Sequence, residues 1–421
     1  MKLPLISLLI MACFSALAQE VIVPSETAAR ETLRLSAEQS SLRLGGLDLF
    51  PHAAGEVRYD DNLLISHTNQ LQDEIWVFTP GLTIAAGDVA KYLPGSVTLE
   101  QLRNLIYYSL VEDVSKPGRF LALDYTPSFN LYTHYSTYDN IGQSVKFSGA
   151  YSLTRLALGL DFDFSDEYIK DIGVGDLIQI YRYNAYLRSR YDISDRTSLE
   201  VNGIYRRYDY ANQLYQGYSD IKNEDWLNRQ FADRLNLGVG LGFGFVFPSE
   251  SPKQTYEQLL TRGIYRLTDK LYFSTALGVE FRQYASGQSG TVHPVFSLSS
   301  IYQVREGTTL TLEGHRRDEP APYGGYNTTT VGGSLSARQL LFGRLYATAS
   351  LGYDNFQYRE TEAGLPYSRS DNYLNGRLAF DYEFNRHVTG SLFYTYNRDN
   401  SSYEFYSYDN NVVGLRLTWR L

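Results

Sequence analysis

Asn411-Val-Val-Gly-Leu-Arg-Leu-Thr-Trp-Arg-Leu421 alternates between two kinds of side chain. Val413, Leu415, Leu417, Trp419 and Leu421 fall on one side, and Gly414, Arg416, Thr418 and Arg420 on the other. Successive side chains of a β-strand point to opposite faces, so this is a strand with one apolar and one polar face. Two settings suit it. In a soluble sandwich the apolar face turns inward, and in a membrane barrel it turns to lipid.

The same pattern recurs upstream. Leu156, Leu158, Leu160, Phe162 and Phe164 oppose Ala157, Gly159, Asp161, Asp163 and Ser165. Leu378, Phe380, Tyr382 and Phe384 oppose Arg377, Asp381 and Glu383. Many such runs are about 10–14 residues long, which suits a tilted membrane span of roughly 9–11. Large aromatics sit near the ends of the apolar faces, where interface girdles require them. Both features favour the membrane barrel.

The turns set the connectivity. Tyr151-Ser-Leu-Thr-Arg155, Tyr191-Asp-Ile-Ser-Asp195, Tyr265-Arg-Leu-Thr-Asp269, Tyr302-Gln-Val-Arg-Glu306 and Tyr382-Glu-Phe-Asn-Arg386 each end one strand and start another. Gln339-Leu-Leu-Phe-Gly343 is a variant. They recur mostly every 37 to 43 residues, one two-strand unit at a time. Transmembrane barrels have short periplasmic turns and longer extracellular loops, so these turns are expected to be periplasmic. The longer polar connections, among them 61–74, 168–177, 321–327, 360–371 and 401–407, fall at the other end.

The expected fold is all-β: a transmembrane antiparallel up-and-down barrel of 16 strands, the first near 53–60 and the last near 410–421. One gap, Tyr191 to Tyr265, spans 74 residues, twice the usual repeat. It holds the run Leu235 to Phe247, with glycine at every other position. A second, more polar strand near 213–226 would raise the count to 18. Between the second and third strands, Leu99, Leu102, Ile106 and Leu110 recur at helical spacing, which predicts a short helix over 99–110.

Lys2, the apolar run Leu3 to Leu17 and Ala16-Leu17-Ala18 have the layout of a secretory signal peptide, predicted over 1–18. Lipidation at Cys13 is the alternative, which Met11 fits badly. Residues 19–50 form a polar periplasmic lead-in, and 51–421 the barrel. Cys13 is the only cysteine, so the mature chain is expected to hold no disulfide, thiol nucleophile or cysteine metal site. Its 37 tyrosines and 21 phenylalanines suit membrane interfaces. A net charge of −9 argues against nucleic-acid binding.

The last strand resembles the C-terminal signal that the outer-membrane assembly machinery recognises. That signal usually ends in Phe or Trp; this chain ends in Leu421, with Trp419 two residues earlier. Leu49-Phe-Pro-His52, then Asp60-Asp-Asn62 and Phe78-Thr-Pro-Gly-Leu82, resemble the opening of the outer-membrane β-barrel porin families of the "beta-barrel porin 2" type. The resemblance implies a barrel in the bacterial outer membrane, in a lipid bilayer, and carries over no functional residue. Some members of those families sit near polysaccharide-export genes. Family analogy with porins also raises a homo-oligomer.

On this phasing Arg182, Arg188, Arg190, Arg206, Glu280, Arg282, Glu313, Arg377, Asp381 and Arg416 point into the lumen. Lys146, Asp161, Asp163, Glu200, Arg317, Arg338, Asp354, Glu383 and Arg420 share that side. Rings of charge in a wet lumen set the solute preference of a pore. A barrel this wide leaves an aqueous channel unless plugged. The expected function is therefore a porin-like channel for passive passage of small hydrophilic solutes, with a wet, mixed-charge lumen favoured over one sealed by salt bridges. The alternatives are an accessory of exopolysaccharide export and a surface adhesin. An enzyme is disfavoured. None of His52, His67, His134, His293, His315 and His387 lies in a recognisable nucleophile motif, and no glycine-rich phosphate loop or metal-spaced ligand set is present. No catalytic, cofactor or metal residue is assigned. His315-Arg-Arg-Asp318 is the densest polar cluster.

Overall fold

A computed structural model describes residues 42–87, 119–362 and 368–421. The expected signal peptide, most of the lead-in and the expected helix over 99–110 lie outside the described residues.

Among the described residues one sheet holds all the strands. In chain order they are β1 Leu42–Leu44, β2 Leu47–Asp60, β3 Asp73–Gly87, β4 Phe120–Tyr132, β5 Asn140–Ser152 and β6 Leu156–Asp171. Next come β7 Asp176–Ser194, β8 Thr197–Tyr210, β9 Tyr218–Ala232, β10 Leu235–Pro248, β11 Gln254–Thr268 and β12 Leu271–Tyr284. The rest are β13 Thr291–Arg305, β14 Thr308–Pro320, β15 Tyr326–Phe342, β16 Leu345–Glu360, β17 Arg369–Asn385, β18 Val388–Ser401 and β19 Tyr408–Arg420. Each pairs antiparallel with the next, and β19 returns to β2 in register from Val412↔Asp60 to Arg420↔His52. β1 folds back on β2 at Leu42↔Leu49.

The barrel therefore has eighteen strands, β2 to β19, and not sixteen. The 74-residue gap holds both extra strands. β9 departs from the apolar pattern because its outward side carries Asn223, Asp225 and Arg229 between Ile221, Leu227 and Phe231, while its inward side carries Asp220, Lys222 and Glu224. β10 is the run from Leu235 already marked by its alternating glycines. Among the described residues the only helical turns are the three-residue Ser136–Tyr138 and Glu404–Tyr406.

From β7 to β18 the hairpins close at one end through two-residue turns, such as Asp233-Arg234, Asp269-Lys270 and Arg386-His387. At Glu306-Gly307 and Gly343-Arg344 the glycine takes positive φ (76° and 58°), which side chains with a Cβ rarely adopt. By the length rule this end is periplasmic. The other end carries the longer loops, up to the twelve residues of 61–72.

The outer wall is apolar. On β10, Leu237, Val239, Leu241, Phe243, Phe245 and Phe247 are exposed. The inward positions between them are glycine, from Gly238 to Gly244. The same exposed belt runs through Leu121, Leu123, Leu312, Leu335, Leu351, Leu415 and Leu417, with Trp76, Trp419, Tyr302 and Phe384 toward its edges. Water would penalise so large an apolar surface, and lipid accepts it. A closed barrel also leaves no unpaired edge in hydrocarbon. The protein is an outer-membrane β-barrel.

Candidate functional site

The inner wall of β8 to β12 is built around the glycine stripe. A Cβ on Gly240 would stand 2.3 Å from the Trp226 ring, and one on Gly244 would stand 2.2 Å from Tyr256. Without Cβ atoms on β10, these rings from β9 and β11 lie flat against the wall. Charged side chains pack over them. The Arg262 guanidinium sits 4.4 Å above the Trp226 ring and pairs with Glu200 at 2.9 Å. Trp226 Nε1 donates to Glu224, which pairs with Lys222. Arg282 sits 4.9 Å above Tyr256 and pairs with Glu280 at 2.8 Å. Tyr256 donates to Asp220 at 2.9 Å. Buried charges persist only when paired, and these are.

The opposite side of the mouth is an inserted hairpin. β13 and β14 pair only as far as Phe296↔Arg316. Above that rung β14 stays paired with β15, up to Pro320↔Asn327, while β13 continues alone with β12 to Thr291. Lower down, the outward side chains of this hairpin face lipid: Leu312 is 56% exposed and Leu335 52%. Above the break the same faces carry Arg316, Asn327 and Thr329, at 8%, 4% and 2% exposure. The upper hairpin thus leaves the wall and tucks inside the barrel, its outer face against β11 to β13. Gln254 of β11 and Asn327 of β15 exchange two amide hydrogen bonds, 2.8 and 2.9 Å, across three intervening strands. The Arg282 guanidinium donates to the Asp318 carbonyl at 3.3 Å.

The hairpin tip, residues 321–325, joins the other mouth loops. Gln216 Nε2 donates to the carbonyls of Ala321 and Tyr323 at 2.7 and 2.9 Å. The Gly325 amide donates to Ser251. Tyr323 meets the Val174 carbonyl at 3.4 Å and the Tyr406 hydroxyl at 3.2 Å. Burial pushes the Tyr323 phenol up from its ordinary value, and the Tyr406 contact adds to that. Around the tip, Arg369 pairs with Asp371 at 2.6 Å, both fully buried. Arg369 also donates to the carbonyls of Ile172 and Gly173, and its guanidinium lies 3.5 Å from the Tyr406 ring. Lys170 bridges to Asp60 at 2.6 Å and to the Asn62 carbonyl at 2.8 Å. These contacts join β6–β7 to strands far around the barrel, so they span the mouth.

The ten residues singled out from sequence all lie on the strand face opposite the apolar belt. Arg206, Glu280 and Arg282 converge beneath the hairpin. The other seven are spread along the wall. Arg182 pairs with Glu167 at 2.8 Å, Arg188 with Asp161, and Arg190 with Asp192 at 2.8 Å. Glu313 accepts from Ser334, and Asp381 from Ser391. Arg377 lies 4.6 Å from the Phe393 ring, and Arg416 stands 4.0 Å from Glu56. Of the polar cluster, His315 stays in the wall opposite Ser297, 3.2 Å from Asp354, and Asp318 lies on the inserted part of β14. Sequence reading missed Lys170, Arg369 and Asp371, which hold the mouth. The signal for Arg369-Ser-Asp371 was present: opposite charges two apart share a strand face.

No protein-family model matches the chain, and no curated protein does. Among solved structures it is similar to OpdO of Pseudomonas aeruginosa, with TM-score 0.46 and 10% identity over 90% of this chain and 98% of that one. It is also similar to OccAB3 of Acinetobacter baumannii (0.45, 9%, 90% and 100%) and to the siderophore receptor PirA of P. aeruginosa (0.42, 9%, 89% and 80%). At these scores and identities the likeness carries nothing about function.

Proposed function

We propose that the chain is an outer-membrane channel for passive passage of small hydrophilic solutes, narrowed at its outer mouth by the β14–β15 hairpin. One observation carries this reading: an eighteen-strand barrel, wide enough for an aqueous path, whose inner wall is lined by charge pairs. Beneath the hairpin five bases, Arg206, Lys222, Arg282, Arg316 and Arg317, face five acids, Asp220, Glu224, Glu280, Asp318 and Glu319. Such a balance disfavours a strong preference for ions of either sign and suits neutral or zwitterionic solutes. The cavity left there is about 90 Å³, against roughly 300–1,000 Å³ for a drug-sized ligand. The small volume shows how closely the hairpin packs on the inner wall at that point. The sequence resemblance to outer-membrane porins of the beta-barrel porin 2 type supports the same assignment.

Reconstitution into planar bilayers tests it. Stepwise conductance, with weak selectivity between small anions and cations, is the expected result. A barrel that is folded by heat-modifiable gel mobility yet never conducts would overturn it. The packed mouth favours the second reading, an accessory of surface polysaccharide export; deletion of the gene would then alter surface glycan and leave small-solute uptake intact.

A further inference from the structure

The upper half of the β14–β15 hairpin has two places to go, and the structure shows it in one. The other is the wall. Continuing the rungs beyond Phe296↔Arg316 would set Val295 opposite Arg317, and His293 opposite Glu319. The β13 edge that would receive it is already prepared. The Arg316 guanidinium donates to the Pro294 carbonyl, so that carbonyl points toward β14. In an antiparallel strand a residue's N–H and C=O face the same neighbour. Proline has no N–H, so the bare edge exposes no donor there. At Pro294, then, the β13 edge leaves no donor unpaired, and its carbonyl is capped by Arg316.

The hairpin also carries its own counter-charges. Arg316 pairs with Asp318 at 3.3 Å, and Arg317 with Glu319 at 3.6 Å, each within the one strand. These pairs move with the strand and need not break. What ties the hairpin to the barrel interior is chiefly the Gln254–Asn327 and Gln216 hydrogen bonds, with one charged donor, the Arg282 guanidinium, on the Asp318 carbonyl. Its tip in turn joins the loops 172–175, 211–217 and 249–253 and Tyr406. Moving this one element therefore frees those loops from their shared anchor, while the Arg369 and Lys170 contacts still cross the mouth.

We propose that the upper β14–β15 hairpin is the gate of the channel: tucked inside it occludes the mouth, and re-paired with β13 in the wall it opens the lumen. This rests on the channel reading above.

Two cross-links test it in purified, reconstituted protein. Gln254→Cys with Asn327→Cys, bridged by a short bis-methanethiosulfonate reagent, holds the hairpin inside. Conductance should stay at its lowest level and rise several-fold when dithiothreitol removes the bridge. His293→Cys with Glu319→Cys, three rungs beyond Phe296↔Arg316, would form a disulfide only with the hairpin in the wall. A facing pair that shares no ladder hydrogen bonds brings its Cα atoms to about 4.5 Å, within disulfide range. Its formation, read by gel shift after proteolysis between the two strands, should lock the high level. Failure of this disulfide to form under oxidant overturns the gate. So does unchanged conductance with either link complete. If the disulfide forms but no variant conducts, it is the channel reading that falls, and with it the hairpin's role as gate.

Discussion

Replacing Arg369 with alanine should open the mouth without unfolding the barrel. The Arg369 and Asp371 side chains are fully buried and 2.6 Å apart, and the guanidinium also caps the Ile172 and Gly173 carbonyls. Removing one partner of a buried pair costs about 3–5 kcal/mol, because the other charge is left without compensation. At 1.4 kcal/mol per factor of ten, that shifts the balance between closed and open mouths by roughly two to three and a half powers of ten. The wall is untouched, since Tyr358↔Arg369 is a backbone rung and the side chain points inward. Heat-modifiable gel mobility should therefore match wild type, while the fraction of time spent at high conductance in planar bilayers rises. The double variant Arg369→Met, Asp371→Leu separates charge from packing. A well-packed apolar replacement of a buried pair is often neutral or stabilising, so the double variant should close again. A folded Arg369→Ala protein with wild-type conductance would refute the idea that this pair latches the mouth. If the double variant stayed as open as the single one, lost volume would be the cause instead of stranded charge.

Three further outcomes follow from the same geometry. Gly244→Ala places a Cβ 2.2 Å from the Tyr256 ring; overpacking of this kind costs about 1–3 kcal/mol, seen as a lower urea midpoint in liposomes and relieved in a Tyr256→Ala background. Tyr323 keeps its proton in the closed mouth at pH values where a solvated phenol, with pKa about 10, loses it, because burial raises it. Closure should thus be intact below that pH and weaken as pH climbs past it, and Tyr323→Phe should flatten the rise in conductance between pH 9 and 11. Asp225 faces outward between Val201 and Leu241 of its neighbours, which are 44% and 64% exposed. An acid in the lipid belt costs less than the roughly 2–4 kcal/mol of a base, so Asp225→Leu should leave liposome stability unchanged or raise it by about 1 kcal/mol; a clear loss would place Asp225 against a partner protein.

Period-2 alternation was enough for the barrel, its closing strand and sixteen of its strands, because lipid on one side and water on the other impose that period on every residue. It failed where one side stopped obeying the rule. β9 carries Asn223 and Asp225 toward lipid, so neither face is apolar throughout. β10 was legible as the run Leu235 to Phe247, but the reason for its glycine face is visible only once Trp226 and Tyr256 are seen lying on it. The same alternation puts the ten charged positions on the strand face opposite the apolar belt. The tucked hairpin did not. Arg316 and Thr329 keep the parity of lipid-facing residues, and only the end of pairing at Phe296↔Arg316 shows that no lipid is there. Polar side chains at positions where the belt should continue, Arg316 and Asp318 on β14 and Asn327 and Thr329 on β15, were the available sign.

A further regularity links wall and gate. Glu56 and Arg58, Arg190 and Asp192, Lys222 and Glu224, Glu280 and Arg282, and Arg369 and Asp371 all pair two residues apart on one strand. The hairpin repeats this with Arg316–Asp318 and Arg317–Glu319. A charge neutralised by its own strand does not depend on which strand lies beside it. The wall then stays electrically balanced whether or not the hairpin occupies it, and a solute meets little net field in either state. A hairpin whose countercharges sat on other strands would instead expose them when it moved. The within-strand pairs thus connect the weak ion selectivity expected of the pore to the freedom of its gate: splitting one, as in Glu319→Gln, should both bias ion selectivity toward anions and alter the time the mouth spends open.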